Sequence, residues 1–356
     1  MNSSEVAVGS FLLVALVIAC SPATEVPQVV TDAGATATPP TPSATPTSAP
    51  AAPTPTVAPL LRAYVTAEGA DLVMVIDLRT LEIVAEIPVG DGPHNLAVTR
   101  DNTKLFVTHV LAGEISIIDL TLNQEAARIP VGIYPHDVAV TPDGHRAYVA
   151  DGLADRVWII DLKRLEIVGE VPLGPEPHDL IITPDGREVW VTYRGSPGLA
   201  VIDLATDEIV ALVETGREPH DPEVTPDGRS IWVGHWNDRH VTVVDRESRQ
   251  VLAEPLLPGR AQHPAISSDG NLVAISSWTD DNRVWILDAH TYELLDEFEV
   301  GPHPHHPAFT PDGGTTLVAV SGSGQLAVVD LPTREVRFVA LAPELHGVVA
   351  LELQPR

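Results

Sequence analysis

Short apolar runs alternate with polar turns along residues 62–354, and the same order of runs returns every 42 or 43 positions. The clearest marker is a predicted strand that ends in two apolar residues followed by aspartate. The aspartates of this marker are Asp77, Asp119, Asp161, Asp203, Asp245, Asp288 and Asp330. A constant period of this size is the mark of a repeat architecture in which each unit packs on its neighbours.

One repeat unit divides into four predicted strands. In the unit that starts at residue 137, these are Asp137–Val140, Arg146–Ala150, Arg156–Leu162 and Ile167–Leu173. The first two are joined by Pro142-Asp143-Gly144, and an Asp-Gly pair readily supplies the positive φ of a tight hairpin. Four antiparallel strands in each repeat are typical of a propeller blade.

The two ends of the repeat region complement each other. The first unit begins at Ala63-Tyr64-Val65-Thr66, which corresponds to the second strand of a blade, and Gly347–Leu353 follows the last complete unit as an extra strand. Pairing these two ends would remove two exposed sheet edges. We therefore predict an all-β domain over residues 61–356. It is a seven-bladed β-propeller with four antiparallel strands per blade, closed by the C-terminal strand completing blade 1.

The second strands carry a recurring sequence. They read Tyr64-Val65-Thr66, Phe106-Val107-Thr108, Tyr148-Val149-Ala150 and Trp190-Val191-Thr192. Together with the Pro-Asp-Gly turn, they resemble the YVTN family of β-propeller repeats over essentially all of residues 62–354. The resemblance implies the fold but no single activity, because related propellers include surface-layer proteins, lactonases, the haem d1 domain of a nitrite reductase and the copper-cluster propeller of nitrous oxide reductase.

The N-terminal 60 residues have a different composition. An apolar run at residues 6–19 is too short to span a bilayer and fits a signal peptide over residues 1–19. The following Cys20 completes a sequence that resembles the lipobox of bacterial lipoproteins, which implies lipidation of Cys20 and a membrane anchor. Residues 20–60 are rich in Pro, Thr, Ala and Ser and are predicted to form a disordered tether. We expect an extracytoplasmic protein, in the periplasm or at the cell surface.

Charge and cysteine content exclude several classes of function. The net charge of −28 and the presence of only two lysines argue against binding of nucleic acid. Because Cys20 is the only cysteine, the predicted propeller has no disulfide, no thiolate ligand and no cysteine nucleophile. We expect a monomeric propeller head.

Seven of the fourteen histidines occupy one position of the repeat, just before the predicted innermost strand of each blade. They are His94, His136, His178, His220, His263, His305 and His346. That loop lies beside the central channel of a propeller, so seven imidazoles are predicted to meet at the channel mouth. Neutral imidazole is a common ligand of copper and zinc, which makes copper or another transition metal the expected cofactor.

Loops that open on the same face are expected to add cofactor-binding groups. These residues are His109, Asp151, Arg194, His235, Trp236, Trp278 and His306. Duplication of one unit would equally multiply a histidine that only caps its loop, so a structural role remains the competing interpretation.

Three hypotheses about function follow. The first is a binding protein whose histidine-lined mouth holds a transition metal or metal cofactor, in an accessory role in redox chemistry or metal handling. The second is an enzyme, either a metal-dependent oxidoreductase or a lactonase-like hydrolase. The third is a cell-surface scaffold that binds a protein partner and has no small-molecule site.

Overall fold

Seven four-stranded sheets are present in a computed structural model of the chain, which describes residues 58–277 and 281–354. Blade 1 consists of β28 (Leu345–Leu353), β1 (Leu60–Ala67), β2 (Leu72–Asp77) and β3 (Glu82–Pro88), from the inside outwards. Blade 2 consists of β4 (Pro93–Val98), β5 (Lys104–His109), β6 (Glu114–Asp119) and β7 (Gln124–Pro130). Blade 3 consists of β8 (Pro135–Val140), β9 (Arg146–Asp151), β10 (Arg156–Asp161) and β11 (Glu166–Pro172).

The other four blades repeat this order. Blade 4 consists of β12 (Pro177–Ile182), β13 (Glu188–Tyr193), β14 (Gly198–Asp203) and β15 (Glu208–Glu214). Blade 5 consists of β16 (Pro219–Val224), β17 (Ser230–His235), β18 (Thr242–Asp245) and β19 (Val251–Ala253). Blade 6 consists of β20 (His263–Ile266), β21 (Leu272–Ser276), β22 (Arg283–Asp288) and β23 (Leu294–Glu299). Blade 7 consists of β24 (Pro304–Phe309), β25 (Thr315–Val320), β26 (Gln325–Asp330) and β27 (Glu335–Ala340).

The predicted closure of the ring is confirmed. Strand β28 pairs antiparallel with β1, with Leu353 opposite Leu60 and Val349 opposite Tyr64. The closing strand begins at Leu345, two residues earlier than predicted. Each innermost strand contacts the innermost strand of the next blade, and the last contact joins β28 to β4. The fold is therefore a closed seven-bladed propeller.

The turns explain why the repeat keeps its polar residues. In blade 3, the Thr141 hydroxyl donates to Asp143 over 2.6 Å, and Gly144 takes a φ of 69°. The marker aspartate Asp161 accepts hydrogen bonds from the backbone N–H groups of Lys163 and Arg164, both at 2.9 Å. These aspartates therefore hold the hairpin that follows the third strand, as expected for residues that bond their own turn.

The hydrophobic core lies between neighbouring sheets. Trp190, Trp232 and Trp285 are buried at the blade interfaces and act as packing residues, and Trp158 is partly buried against the core. Tyr64 and Tyr148 occupy the position of Trp190 and Trp232 in other blades and are also buried. Truncation of a buried aromatic side chain of this size to alanine typically costs roughly 3–5 kcal/mol. Across the part of the chain that the structure describes, the one helix is the short 3-10 turn Glu68–Ala70, and no helix is long and apolar enough to cross a bilayer.

Candidate metal centre

The seven repeated histidines lie at the start of the innermost strands. In six blades the histidine is the second residue of its strand, and in blade 6 His263 is the first. The inner strands thus begin about two residues earlier than predicted. Because all seven strands start at the same end of the propeller, their imidazoles meet there.

The imidazoles form a closed ring in which each contacts the next. The distance between neighbouring ring centroids ranges from 3.4 Å for His94 and His346 to 5.4 Å for His263 and His305. They surround a cavity of about 490 Å³, which we call the histidine chamber. The chamber is lined by the seven histidines together with Glu68, Tyr134, Arg194, Trp236, His306, Ser321, Glu344 and Leu345.

Carboxylates hold one nitrogen of several of these rings. Asp179 accepts from His178 Nδ1 at 2.8 Å and from His136 Nδ1 at 3.1 Å. Asp221 lies 3.2 Å from His263 Nδ1 and 3.3 Å from His306 Nε2. A histidine that binds a metal commonly donates its other ring N–H to a carboxylate, which fixes the tautomer and the ring orientation.

Other nitrogens in the chamber are buried without a hydrogen-bond partner among the described residues. They include both ring nitrogens of His220, Nε2 of His263, and Nδ1 of His306 and His346. A buried polar atom without a partner costs roughly 1–3 kcal/mol. Such atoms are scarce in proteins, and their concentration here points to a ligand.

The electrostatic environment keeps most of these imidazoles neutral. Burial lowers the pKa of His136 to about 4, and the neighbouring His178 adds to this effect. Burial and the neighbouring imidazoles also hold the pKa of His220 and His346 well below the ordinary value. Burial acts in the same direction on His306, but Asp221 outweighs it and raises the pKa of that ring. Neutral imidazole is the form that binds metal ions.

Three groups of side chains bring their donor atoms within 4.8 Å of one another. The groups are His305–His306–His346, His136–His178–Asp179 and Asp221–His263–His306. The first consists of imidazoles alone and belongs to blades 7 and 1. Two of the rings in it, His306 and His346, each offer an unpartnered Nδ1.

The structure separates the predicted loop residues into two sets. Arg194, Trp236 and His306 line the histidine chamber. The Trp236 ring lies 4.6 Å from that of His220, and the Arg194 guanidinium lies 5.6 Å from Trp236. These side chains form part of the chamber rim.

The other set does not line the histidine chamber. His109, Asp151 and His235 each end the second strand of a blade and are buried. His109 contacts Ser116 at 2.7 Å, His235 contacts Thr242 at 2.9 Å, and Asp151 accepts from Trp158 Nε1 at 3.0 Å. Their side chains turn into their own blades because the third strand offers a polar partner there. Trp278 and Cys20 lie outside the described residues.

The residues after the histidines are functional candidates that the sequence analysis did not select. Asn95, Asp137, Asp179 and Asp221 occupy this position in four successive blades. Asn95 Nδ2 in blade 2 donates to Asp179 in blade 4 at 3.1 Å, past blade 3. Burial acts to raise the pKa of Asp179, but His178 and His136 outweigh it and hold the pKa well below its ordinary value. The sequence could have indicated these residues, because each of the four polar residues directly follows one of the repeated histidines.

Beneath this layer lies a second cavity of about 530 Å³, the axial channel, lined by the inner strands. His306 lines both the axial channel and the histidine chamber. Glu223 lies two residues beyond Asp221 on the channel wall. Burial raises the pKa of Glu223 to about 8, and the charge of Asp221 adds to the shift.

Fold and site together define a seven-bladed β-propeller with a histidine-lined mouth, and comparison with known proteins agrees on the fold. A family model described as YNCE-like beta-propeller matches residues 7–146, so the chain is similar to that family over this part. No curated protein sequence matches the chain.

Solved structures share the architecture at low identity. Kuenenia stuttgartiensis hydrazine synthase is 23% identical, with a TM-score of 0.69 over 75% of this chain and 91% of that chain. A functionally unknown protein from Desulfotomaculum acetoxidans is 16% identical, with a TM-score of 0.72 over 82% of this chain and 99% of the other. Dihydro-haem d1 dehydrogenase NirN in complex with DHE is 18% identical, with a TM-score of 0.63 over 81% of this chain and 74% of that chain. At these identities the likeness concerns the fold alone.

Proposed function

We propose that this protein binds a divalent transition-metal ion in the histidine chamber, through His305, His306 and His346. The observation that carries the proposal is the set of buried, unpartnered imidazole nitrogens that face one cavity. Asp221 contacts His306 through Nε2, and Nδ1 of that ring has no hydrogen-bond partner among the described residues. Three imidazoles that leave a coordination position open are a common donor set for zinc.

The donor set favours particular ions. Every candidate donor is an imidazole nitrogen or a carboxylate oxygen, and none of the residues that line the chamber carries sulfur. Sulfur donors select Cu(I), whereas imidazole suits Cu²⁺, Zn²⁺, Ni²⁺ and Fe²⁺. Because affinity for nitrogen donors is highest for copper among these ions, we expect Cu²⁺ to bind most tightly and Zn²⁺ to bind measurably.

We further propose that the protein works outside the cytoplasm as a lipoprotein in metal or redox handling. The apolar run at residues 6–19 followed by Cys20 supports this location. In a bacterial host, the full chain is expected in the membrane fraction and a Cys20→Ala variant in the soluble fraction. Equal membrane association of the two proteins would contradict the anchor.

Metal analysis of protein purified without a histidine tag tests the metal proposal. The protein is stripped with EDTA, incubated with Cu²⁺ or Zn²⁺, desalted and analysed by inductively coupled plasma mass spectrometry. Bound metal is expected at no less than one ion per chain. Thermal unfolding should show stabilisation of about 2.7 kcal/mol at a free metal concentration one hundred times the dissociation constant.

A pair of variants gives the test its control. His346→Gln removes a buried imidazole of the chamber and is expected to weaken Cu²⁺ binding at least tenfold. His145→Gln changes a histidine whose side chain is 80% exposed, and it should bind like the parent. A parent protein that retains no metal, and whose stability does not respond to either ion, would refute the proposal and favour the scaffold hypothesis.

A further inference from the structure

A second set of candidate ligands lies on the other wall of the histidine chamber. It consists of His136, His178 and Asp179, whose donor atoms lie within 4.8 Å of one another. None of these residues belongs to the His305–His306–His346 group. The ring centroids of His136 and His346 are 6.5 Å apart, so occupation of one site does not use the donors of the other.

Asp179 distinguishes this group from the first, because it adds a carboxylate to the imidazoles. The residue is 1% exposed, and its carboxylate accepts from Asn95, His136 and His178. These donors are an amide and two imidazoles. Buried charges in proteins are usually paired with other groups or coordinate metal ions. The Asp179 carboxylate would add an oxygen ligand to the imidazoles of this wall.

His220 is an independent indication of a ligand at the same place. The residue is 5% exposed, and neither of its ring nitrogens has a hydrogen-bond partner in the described part of the chain. Its Nδ1 lies 3.8 Å from Asp179, and its ring centroid lies 4.5 Å from that of His178. A buried imidazole with both nitrogens unpartnered, placed beside a buried carboxylate, fits a fourth donor to one ion.

The donor separations are compatible with coordination after small adjustments. Tetrahedral zinc with bonds of about 2.1 Å places its donors about 3.4 Å apart. The Asp179 carboxylate lies 2.8 Å from His178 Nδ1, 3.1 Å from His136 Nδ1 and 3.8 Å from His220 Nδ1, which brackets this separation.

We propose that the chamber has a second, separate cation site formed by His136, His178 and Asp179, with His220 as a further donor. Its mixed nitrogen and oxygen set suits a borderline divalent cation, with Zn²⁺ as the representative ion. This inference rests on the proposed function, because it requires that the chamber imidazoles bind metal. It adds a second ion with a different set of ligands.

Stoichiometry distinguishes the two proposals. Metal-free full-length protein is titrated with Zn²⁺ by calorimetry, and bound zinc is counted after desalting. Two ions per chain are expected for the parent. One ion would overturn the second site and leave the proposed function standing, whereas no bound ion would overturn both.

Variants assign each ion to its site. Asp179→Asn is expected to bind one ion, and His145→Gln is the control that should keep two. His145 does not line the histidine chamber, and its side chain is 80% exposed. The His346→Gln variant should also bind one ion. The double variant that carries both His346→Gln and Asp179→Asn should bind none.

Folding of each variant is checked by thermal unfolding in EDTA. If Asp179→Asn does not fold, His178→Gln replaces it, because that side chain is 15% exposed and tolerates change better. Retention of two ions by a folded Asp179→Asn or His178→Gln protein would overturn the assignment.

Discussion

At the scale of single residues, Glu223 is a carboxyl group on the wall of the axial channel at a position that is otherwise apolar. The same position in the other six inner strands is apolar. Those residues are Ala97, Ala139, Ile181, Ile266, Ala308 and Val349. A single carboxyl in such a layer is expensive to ionise, because burial disfavours the charged form.

This cost predicts an effect of pH on Glu223→Gln. The pKa of Glu223 is about 8 in the folded protein against an ordinary value of 4.5. The folded state therefore keeps a proton that the unfolded state loses, and the contribution of Glu223 to stability falls as the pH rises from 4.5 to 8. Glu223→Gln should leave the free energy of unfolding nearly unchanged at pH 5 and raise it by up to about 5 kcal/mol at pH 9.

Urea unfolding in EDTA at the two pH values measures this difference. Glu208→Gln, on the exposed outer strand of blade 4, is the control and should show no change at either pH. A Glu223→Gln protein with the same gain at pH 5 and pH 9 would show that ionisation of this carboxyl is not the cause.

At the scale of secondary-structure elements, threonines of the second strands connect neighbouring blades at the histidines. Thr108 accepts from the backbone N–H of Asn95 in its own blade at 3.0 Å and donates to the carbonyl of His136 in the next blade at 2.9 Å. Thr192 makes the same two contacts with Asp179 and His220. Each such threonine fills an irregularity of the inner strand and fixes the backbone that carries the next imidazole.

Thr108→Val is therefore expected to destabilise the protein by about 2–4 kcal/mol, because it leaves a buried N–H and a buried carbonyl without partners. It should also weaken metal binding, since His136 loses its backbone anchor. Denaturant unfolding and zinc titration measure the two effects.

Thr316→Val provides a matched control. Thr316 is also fully buried in a second strand, but its hydroxyl has no hydrogen-bond partner among the described residues. This variant should be as stable as the parent or more stable. Similar losses at the two positions would show that the inter-blade bonds contribute little.

At the scale of the whole molecule, closure of the ring brings the chamber imidazoles close enough to lower the pKa of one another. The pKa is lowered for eight buried or half-buried histidines, namely His94, His109, His136, His220, His235, His263, His305 and His346. In the unfolded chain these groups titrate near 6.5, so unfolding at lower pH takes up protons.

We predict that the metal-free protein loses stability as the pH falls from about 6.5 to about 4. The sign follows because the unfolded state binds more protons than the folded state throughout this range. His136 alone, with a pKa of about 4, corresponds to about 3 kcal/mol. Glu68, Asp137, Asp221 and Glu223 have raised pKa values and act in the opposite direction, but they are fewer.

Urea unfolding in EDTA between pH 7 and pH 4.5 checks this prediction. The slope should correspond to a net uptake of more than one proton per chain, and saturating Zn²⁺ should shift the loss of stability to lower pH. A free energy of unfolding that stays constant or rises as the pH falls would contradict the conclusion that the buried imidazoles are neutral in the folded protein.

The amino-acid sequence by itself determined the architecture and the position of the histidines. Strand length, turn type and the 42-residue period are local properties, encoded by apolar alternation and by Asp-Gly turns. The count of units and the unpaired strands at both ends then left a closed ring of seven as the consistent arrangement. One histidine per unit at a fixed position followed from the same register.

The tertiary structure alone decided which atoms meet. Asn95 and Asp179 are 84 residues apart, and Asp221 and His306 are separated by 85, because each pair joins two blades past an intervening blade. The same packing turned His109, Asp151 and His235 into their own blades and brought Asp179 behind two imidazoles. No local pattern fixes such contacts, since they depend on how seven sheets pack around one axis.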